Sequence, residues 1–290
     1  MRPLTFGVSI PTSVGAGSEP VAQAQAAEEL GFDFVSSSDH PCGSQPSYET
    51  WTLLAWIAAR TSRIRVATRV LGVPYRHPAM VAKMAETLDR LAGGRLILGL
   101  GGGYSDKEFA AFGLGVPSPA EKVTGLKEAV HVIRGLWSDS NFSFHGQRYH
   151  TEGAELEPKP SHHIPIWLGT FGSRALQVTG QVADGWIPSL GYAPTEALPA
   201  MRDRVLTAAA AAGRDPGEIT CALNLQARID DRPDPLPDGI SGPAEQVASE
   251  LNAFVAAGFS AFNFMLVGPD WAEQIQQIAT NVIPALRALR

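Results

Sequence analysis

The side chains best suited to chemistry stand together at Asp39 and His40, directly after the apolar run Phe32-Asp-Phe-Val-Ser36. Imidazole titrates near neutrality, so it can trade a proton with a hydroxyl or carbonyl, and a nearby carboxylate can set its tautomer. Such a pair also caps loops, and the two residues alone leave both readings open. Two clusters of small residues follow, Gly101-Gly102-Gly103 and Phe171-Gly172-Ser173. Both let a ligand approach the backbone. The second opens into a helical stretch whose free N–H groups suit a phosphate, although ordinary turns are built from the same residues. The run Gly99-Leu-Gly-Gly-Gly103 is a poor dinucleotide fingerprint: it follows the fourth strand-like segment, and Tyr104-Ser-Asp106 does not start a tight helix.

Other chemistries find little support. Cys42 and Cys221 are far apart, and neither they nor His145, His150, His162 and His163 show metal-ligand spacing, so no metal is assigned. His77 precedes Pro78 and reads as a helix cap. No Gly-x-Ser-x-Gly elbow points to a hydrolase. The formal charge of -6 provides neither a basic stripe for nucleic acid nor a polybasic membrane anchor. No window approaches the roughly 18–20 apolar residues of a membrane span, and the first residues do not resemble a signal segment. These features predict a reduced, cytoplasmic enzyme acting on a small molecule.

The elements that must position these residues follow from hydrophobic periodicity. Short apolar runs at 4–10, 32–36, 64–71, 95–100, 164–169, 185–188, 219–229 and 261–267 read as strands. Longer amphipathic stretches at 18–30, 48–60, 77–91, 120–137, 173–183, 195–212, 243–257 and 271–289 read as helices. The segment 142–149, with a turn at His145-Gly146, reads as a β-hairpin excursion after the fourth helix. Eight strand-then-helix units within residues 1–290 predict one (β/α)8 TIM-barrel domain rather than an open sheet of five or six strands. Ligands then belong at the C-terminal strand ends, where both glycine clusters and the Asp39-His40 pair fall. The loops 11–17, 104–118 and 230–240 carry no interpretable motif.

The strand-end motifs, in order, resemble the luciferase-like monooxygenase superfamily. They are Ser38-Asp39-His40, Val73-Pro74-Tyr-Arg-His77-Pro78, Gly93-Gly94-Arg95-Leu-Ile-Leu-Gly-Leu-Gly-Gly-Gly103, Phe144-His-Gly-Gln-Arg-Tyr149, Leu156-Glu-Pro-Lys-Pro160, Pro165-Ile-Trp-Leu-Gly169 and Ala183-Asp-Gly-Trp186. Within it the chain looks most like the branch using the deazaflavin coenzyme F420, with an FMN-dependent monooxygenase as the alternative. The resemblance implies a homodimer and a non-prolyl cis peptide in a bulge around Arg69-Val70-Leu71. It also implies a ring at the barrel mouth faced by Asp39 and His40, with His40 the proton-transfer residue. Arg69, Val70, Gly72, Gly102 and Gly103 would line the cofactor, and Phe171, Gly172, Arg174 and Ala175 would sit beside its phosphate. Sugar-phosphate-oxidising members carry a glutamate where this chain has Tyr104, and a lysine beyond strand 6 where it has Leu190-Gly-Tyr192. A neutral substrate bordered by Tyr104, Trp186 and Tyr192 is therefore expected: an alcohol, a ketone or an activated alkene. A non-catalytic cofactor carrier on the same barrel would bind without turnover.

Overall fold

The computed structural model describes residues 3–15, 17–231, 235–268 and 270–289; residues 232–234 of the expected Asp/Pro-rich loop, and position 16 of the loop at 11–17, lie outside them. The first half runs β1 (Thr5–Ser9), α1 (Pro20–Glu29), β2 (Phe34–Ser37), α2 (Thr50–Arg60), β3 (Arg65–Thr68), β4 (Leu71–Gly72), α3 (Pro78–Leu91), β5 (Leu96–Gly101), α4 (Asp106–Ala111) and α5 (Pro119–Ser138). A hairpin of β6 (Phe142–His145) and β7 (His150–Ala154) interrupts the alternation, as expected. The second half runs β8 (Ile166–Leu168), α6 (Ser173–Val182), β9 (Gly185–Trp186), α7 (Leu198–Ala211), β10 (Thr220–Ile229), β11 (Gly239–Gly242), α8 (Ala244–Ala256), β12 (Ala261–Leu266), α9 (Trp271–Gln277) and α10 (Ile283–Ala288).

Parallel pairing passes from β12 through β1, β2, β3, β5, β8 and β9 to β10, and β10 pairs back with β12. The sheet is thus a closed TIM barrel, with no edge exposed among these eight. Two elements were not expected. The parallel strand β11 extends β10 beyond the barrel, and the short helix α4 follows the glycine run.

Helix starts follow local chemistry. His77 accepts from the Ala79 amide at the start of α3, as its position before Pro78 suggests, and Ser118 with Glu121 forms a capping box on α5. Inside the barrel, Phe34, Ala67, Ile97, Trp167, Ile187, Ala222 and Ala261 form a separate small core, with Val70 against it. Glycines make room for its large members. A Cβ on Gly7 would lie 2.2 Å from the Phe34 ring, and one on Gly185 would lie 2.4 Å from Trp167. The Phe34 and Trp167 rings meet edge-to-face at 5.7 Å.

On the outer side, Glu28 of α1 accepts from the amides of Ser62, Arg63 and Ile64 at 2.9, 2.6 and 2.8 Å, fastening the turn into β3. Burial alone would raise this carboxyl, but those bonds outweigh it and hold it at about 2, below its usual 4.5. A carboxylate whose pKa falls on folding contributes stability above its unfolded value, and that contribution is lost as pH drops through the folded one. Glu28→Gln should therefore cost about 1–3 kcal/mol at pH 7 by urea unfolding. The gap to wild type should close between pH 4.5 and about 2; a gap unchanged over that range would show that the charge contributes nothing.

Candidate active site

The C-terminal strand ends surround a cavity of about 250 Å³ whose lining includes Asp39, His40, Arg69, Val70, Gly72, Gly101, Gly102, Gly103, Tyr104, Phe171 and Tyr192. These are the expected strand ends brought together. Tyr75, Gly169, Ile187 and Ser189 join them.

The floor is made by an irregularity in the third strand. Ala67 pairs with Ile97 and Leu71 with Leu100, so four residue steps on one strand lie against three on the other. The extra residue makes a bulge, which re-aims side chains. The peptide bond between Arg69 and Val70 within it is cis, at the expected place. Thr68 bridges the interrupted ladder, donating to the Gly99 carbonyl at 2.7 Å and accepting from its amide at 2.8 Å. Val70 then points inward: a Cβ on Gly101 would lie 2.7 Å from its Cγ2, and one on Gly169 would lie 3.2 Å from it. Those glycines leave Val70 the room to form the floor.

Asp39 holds the bulge from the side. It is buried; its Oδ2 accepts from the Gly72 amide at 3.0 Å and from Arg76 Nη1 at 2.8 Å, while Oδ1 accepts from Arg76 Nη2 at 3.0 Å. Burial lowers the Arg76 guanidinium, but the carboxylates of Asp39 and Glu49 raise it further, so the guanidinium stays charged. This engagement corrects the expectation of a catalytic Asp39 that sets the histidine tautomer. Both oxygens are committed to structure.

The partner of His40 is Glu108 on α4, whose Oε1 lies 2.9 Å from His40 Nδ1. Tyr75 donates its hydroxyl to Glu108 Oε2 at 2.6 Å. Burial would raise the Glu108 carboxyl, yet the bonds from Tyr75 and His40 keep it below the usual range. The Tyr75 phenol is pushed up, by burial first and then by Glu108. An ionised carboxylate only accepts, so Nδ1 carries the proton and Nε2 is the ring nitrogen left for the cavity. His40 itself is half exposed. Glu108 escaped the sequence reading because 104–118 was taken as a motif-free loop. Ser105-Asp-Lys-Glu108 does have the spacing of a capping box, a signal for the helix that carries it.

One wall is backbone. Gly103 has φ +92°, and a Cβ there would strike the buried Phe109 ring at 2.3 Å. The opposite wall is aromatic, with Phe171 stacked on Tyr192 at 5.5 Å and Tyr104 edge-on to Tyr192 at 5.4 Å. Behind it, a buried relay crosses the barrel: Ser36 donates to Asn263, Asn263 to Asn224, and Asn224 to Ser189 Oγ, at 2.9, 2.7 and 2.8 Å. Ser189 accepts from that chain, so its own proton is free to face the cavity.

Trp186 lies away from the cavity, while Arg174 and Ala175 stand in the first turn of α6, next to Gly172. Trp186 is fully buried, donates to the Thr170 carbonyl at 2.9 Å and packs on Phe259, so it belongs to the core and not to a substrate pocket. Arg174 donates to Thr124 and lines a wider groove of about 750 Å³ between α5, α6 and the hairpin, away from His40 and the bulge. Ala175 is buried inside α6. Gly172 stands at the N-terminus of α6, with no side chain capping its first amides. Among the described residues, no three His, Cys, Asp or Glu converge as metal ligands, and no helix is long and apolar enough to cross a membrane.

Residues 4–238 match the luciferase-like monooxygenase family. The chain is 30% identical to an F420-dependent glucose-6-phosphate dehydrogenase of Kineococcus radiotolerans, over 99% of this chain and 98% of that protein. Its fold is similar to that of an F420-dependent secondary alcohol dehydrogenase crystallised with an F420–acetone adduct, with a TM-score of 0.88 and 22% identity over 99% and 100% of the two chains. It is likewise similar to a coenzyme F420-dependent tetrahydromethanopterin reductase of Methanopyrus kandleri, with a TM-score of 0.83 and 20% identity over 98% and 100%.

Removing Asp39 leaves Arg76 half-buried and the Gly72 amide unpaired. With Glu49 still paired to Arg76, Asp39→Ala should destabilise the fold by about 1–3 kcal/mol in denaturant unfolding, the cost of an unsatisfied buried amide and a weakened pair. A loss below about 0.5 kcal/mol would mean that Asp39 does not hold the bulge.

Proposed function

Because the chain belongs to the luciferase-like monooxygenase family, we propose that it is an F420-dependent oxidoreductase in which His40 gives or takes the proton that accompanies hydride transfer. The observation carrying this reading is the His40–Glu108 pair at the rim of a cavity whose floor and walls suit a flat ring. Gly101, Gly102 and Gly103 leave one side free of side chains, Val70 and Ile187 offer an apolar surface, and Phe171 and Tyr192 bound the far side. A side chain at Gly101 or Gly103 would instead displace Val70 or Phe109, the residues that shape the floor and that wall. The α6 N-terminus at Gly172 is open for the cofactor phosphate. When bound, the deazaflavin supplies or accepts a hydride at C5; with carbon in place of the flavin N5, it reacts poorly with oxygen.

The chain's own residues do the rest. Glu108, fixed by Tyr75, orients the imidazole with Nδ1 toward itself and Nε2 toward the cavity. His40 Nε2 then protonates the substrate oxygen or carbon as hydride arrives, or takes that proton in the reverse direction. Asp39 acts at one remove, by holding the bulge. The expectation of a neutral substrate rested on Tyr104 standing where a glutamate was sought and on the absence of a lysine at Leu190-Gly-Tyr192; Glu108 brings a carboxylate close to the first of these places, and the lysine argument stands. No lysine lines the cavity among the described residues, and a sugar phosphate gains no support.

Two further readings accompany this one. The exposed Trp56 of α2 and Met80 and Leu91 of α3 support a homodimer, since large apolar side chains in water favour an interface. Light scattering should then give twice the 30.8 kDa chain mass, and a mass of one chain would overturn it. The second reading is a reduced compartment, since the chain has only two cysteines, Cys42 and Cys221, far apart in sequence.

Titrating the protein with oxidised F420 and with FMN, each followed by ligand fluorescence, tests the cofactor. F420 should bind and FMN should not; tight FMN binding without F420 binding would replace the reading with a flavin monooxygenase. In the same assay His40→Ala should keep F420 affinity, while turnover falls about 10²–10⁴-fold. Unchanged turnover would leave His40 without the proposed role.

A further inference from the structure

Arg69 is out of keeping with the rest of the cavity. Every other arginine or lysine buried at a strand end would be expected to meet a carboxylate or a set of carbonyls, as Arg76 meets Asp39 and as Arg95 meets the carbonyls of Ala58, Thr61, Ile64 and Ala92. Arg69 meets neither. Its backbone amide is held by the Ser37 carbonyl at 2.8 Å, which fixes the bulge. Its guanidinium reaches across the barrel mouth, where its one hydrogen bond among the described residues is long, Nη2 to Ser9 Oγ at 3.4 Å, and the Tyr192 phenol lies near enough to act on its charge. Its Nε is buried with no hydrogen-bond partner, and among the described residues no carboxylate forms an ion pair with it. Burial pulls the group down to about 10, which leaves it charged at neutral pH.

A part-buried cation with a buried, idle Nε costs stability unless something else uses its donors. The side chain lines the same cavity as His40 and Val70, so the missing partner must enter from the cavity. A guanidinium presents its donors as a planar fork matched to an oxyanion. We propose that Arg69 anchors a carboxylate on the substrate, so that the chain acts on hydroxy, keto or enoyl compounds bearing one carboxylate. This rests on the oxidoreductase reading and specifies its substrate class. One guanidinium suits a monoanion: a phosphate monoester carries about -1.5 to -2 at pH 7, and no second arginine or lysine lines the cavity among the described residues. The fork would hold one end of the substrate while the reacting carbon is presented to His40 and the ring.

The test uses the cofactor-loaded protein, isothermal titration and three probes: crotonate, crotonamide and glucose 6-phosphate. Wild type should bind crotonate at least about tenfold more tightly than its neutral amide, with the phosphate weaker than crotonate. Arg69→Met keeps the length and apolar stem. It should bring crotonate down to the crotonamide level, leave F420 affinity within about twofold, and hold or raise Tm, since it removes a part-buried charge without an ion-pair partner among the described residues. Equal binding of crotonate and crotonamide by wild type, or no binding of crotonate, overturns the proposal. So does preference for the phosphate. A tenfold loss of F420 affinity in Arg69→Met would assign the guanidinium to the cofactor instead, and a clear fall in Tm would assign it to the fold. If wild type binds FMN and not F420, the cofactor reading fails, while the same probes on the FMN-loaded protein still decide the role of Arg69.

Discussion

The site depends on one extra residue in the third barrel strand. A regular strand there would continue the ladder with β5 and keep alternating its side chains between barrel interior and helix layer. The bulge breaks that alternation, sending Val70 over the barrel axis and Arg69 to the mouth. Its position is fixed from three directions: Thr68 replaces the lost ladder bonds to Gly99, Ser37 holds the Arg69 amide, and Asp39 holds the Gly72 amide. Gly99, Gly101 and Gly169 are needed because the bulge brings backbone and Val70 to where Cβ atoms would be. The cavity floor is the sum of these local requirements.

On that frame two carboxylates take opposite parts. Asp39 is buried and bonded on both oxygens to a guanidinium and an amide, which ties it to the bulge and to Arg76. Glu108 is bonded to groups that can respond, a histidine and a phenol, at the edge of the cavity. One carboxylate sets geometry and the other sets the proton on the imidazole. Adjacent positions in sequence, Asp39 and His40, therefore belong to different networks, because successive residues leaving a strand point in different directions.

The barrel was legible because each of its strands is a short apolar run followed by an amphipathic helix, and the closure of eight such units requires no long-range guess. Asp39, His40 and the glycine loops lie at strand ends and could be placed by topology alone. The cis bond at Arg69–Val70 was anticipated through family resemblance and not through periodicity. Trp186 was misplaced because it follows a strand start closely: β9 is only Gly185–Trp186, so its indole faces the Phe259 layer rather than the mouth. Glu108 was missed because its contact with His40 spans 68 residues and is made by a one-and-a-half-turn helix inside a connection. Arg69 was read as cofactor lining; that its guanidinium lacks a partner is visible only once every neighbour is in place.

The most direct measurement is a crystal structure of the protein with F420 bound. The account predicts the ring lying on Val70 and Ile187, its edge against the Gly101–Gly103 backbone, and His40 on the open face with Nδ1 still bonded to Glu108. A ring seated instead in the groove between α5 and α6, or His40 turned away from the ring's open face, would contradict it.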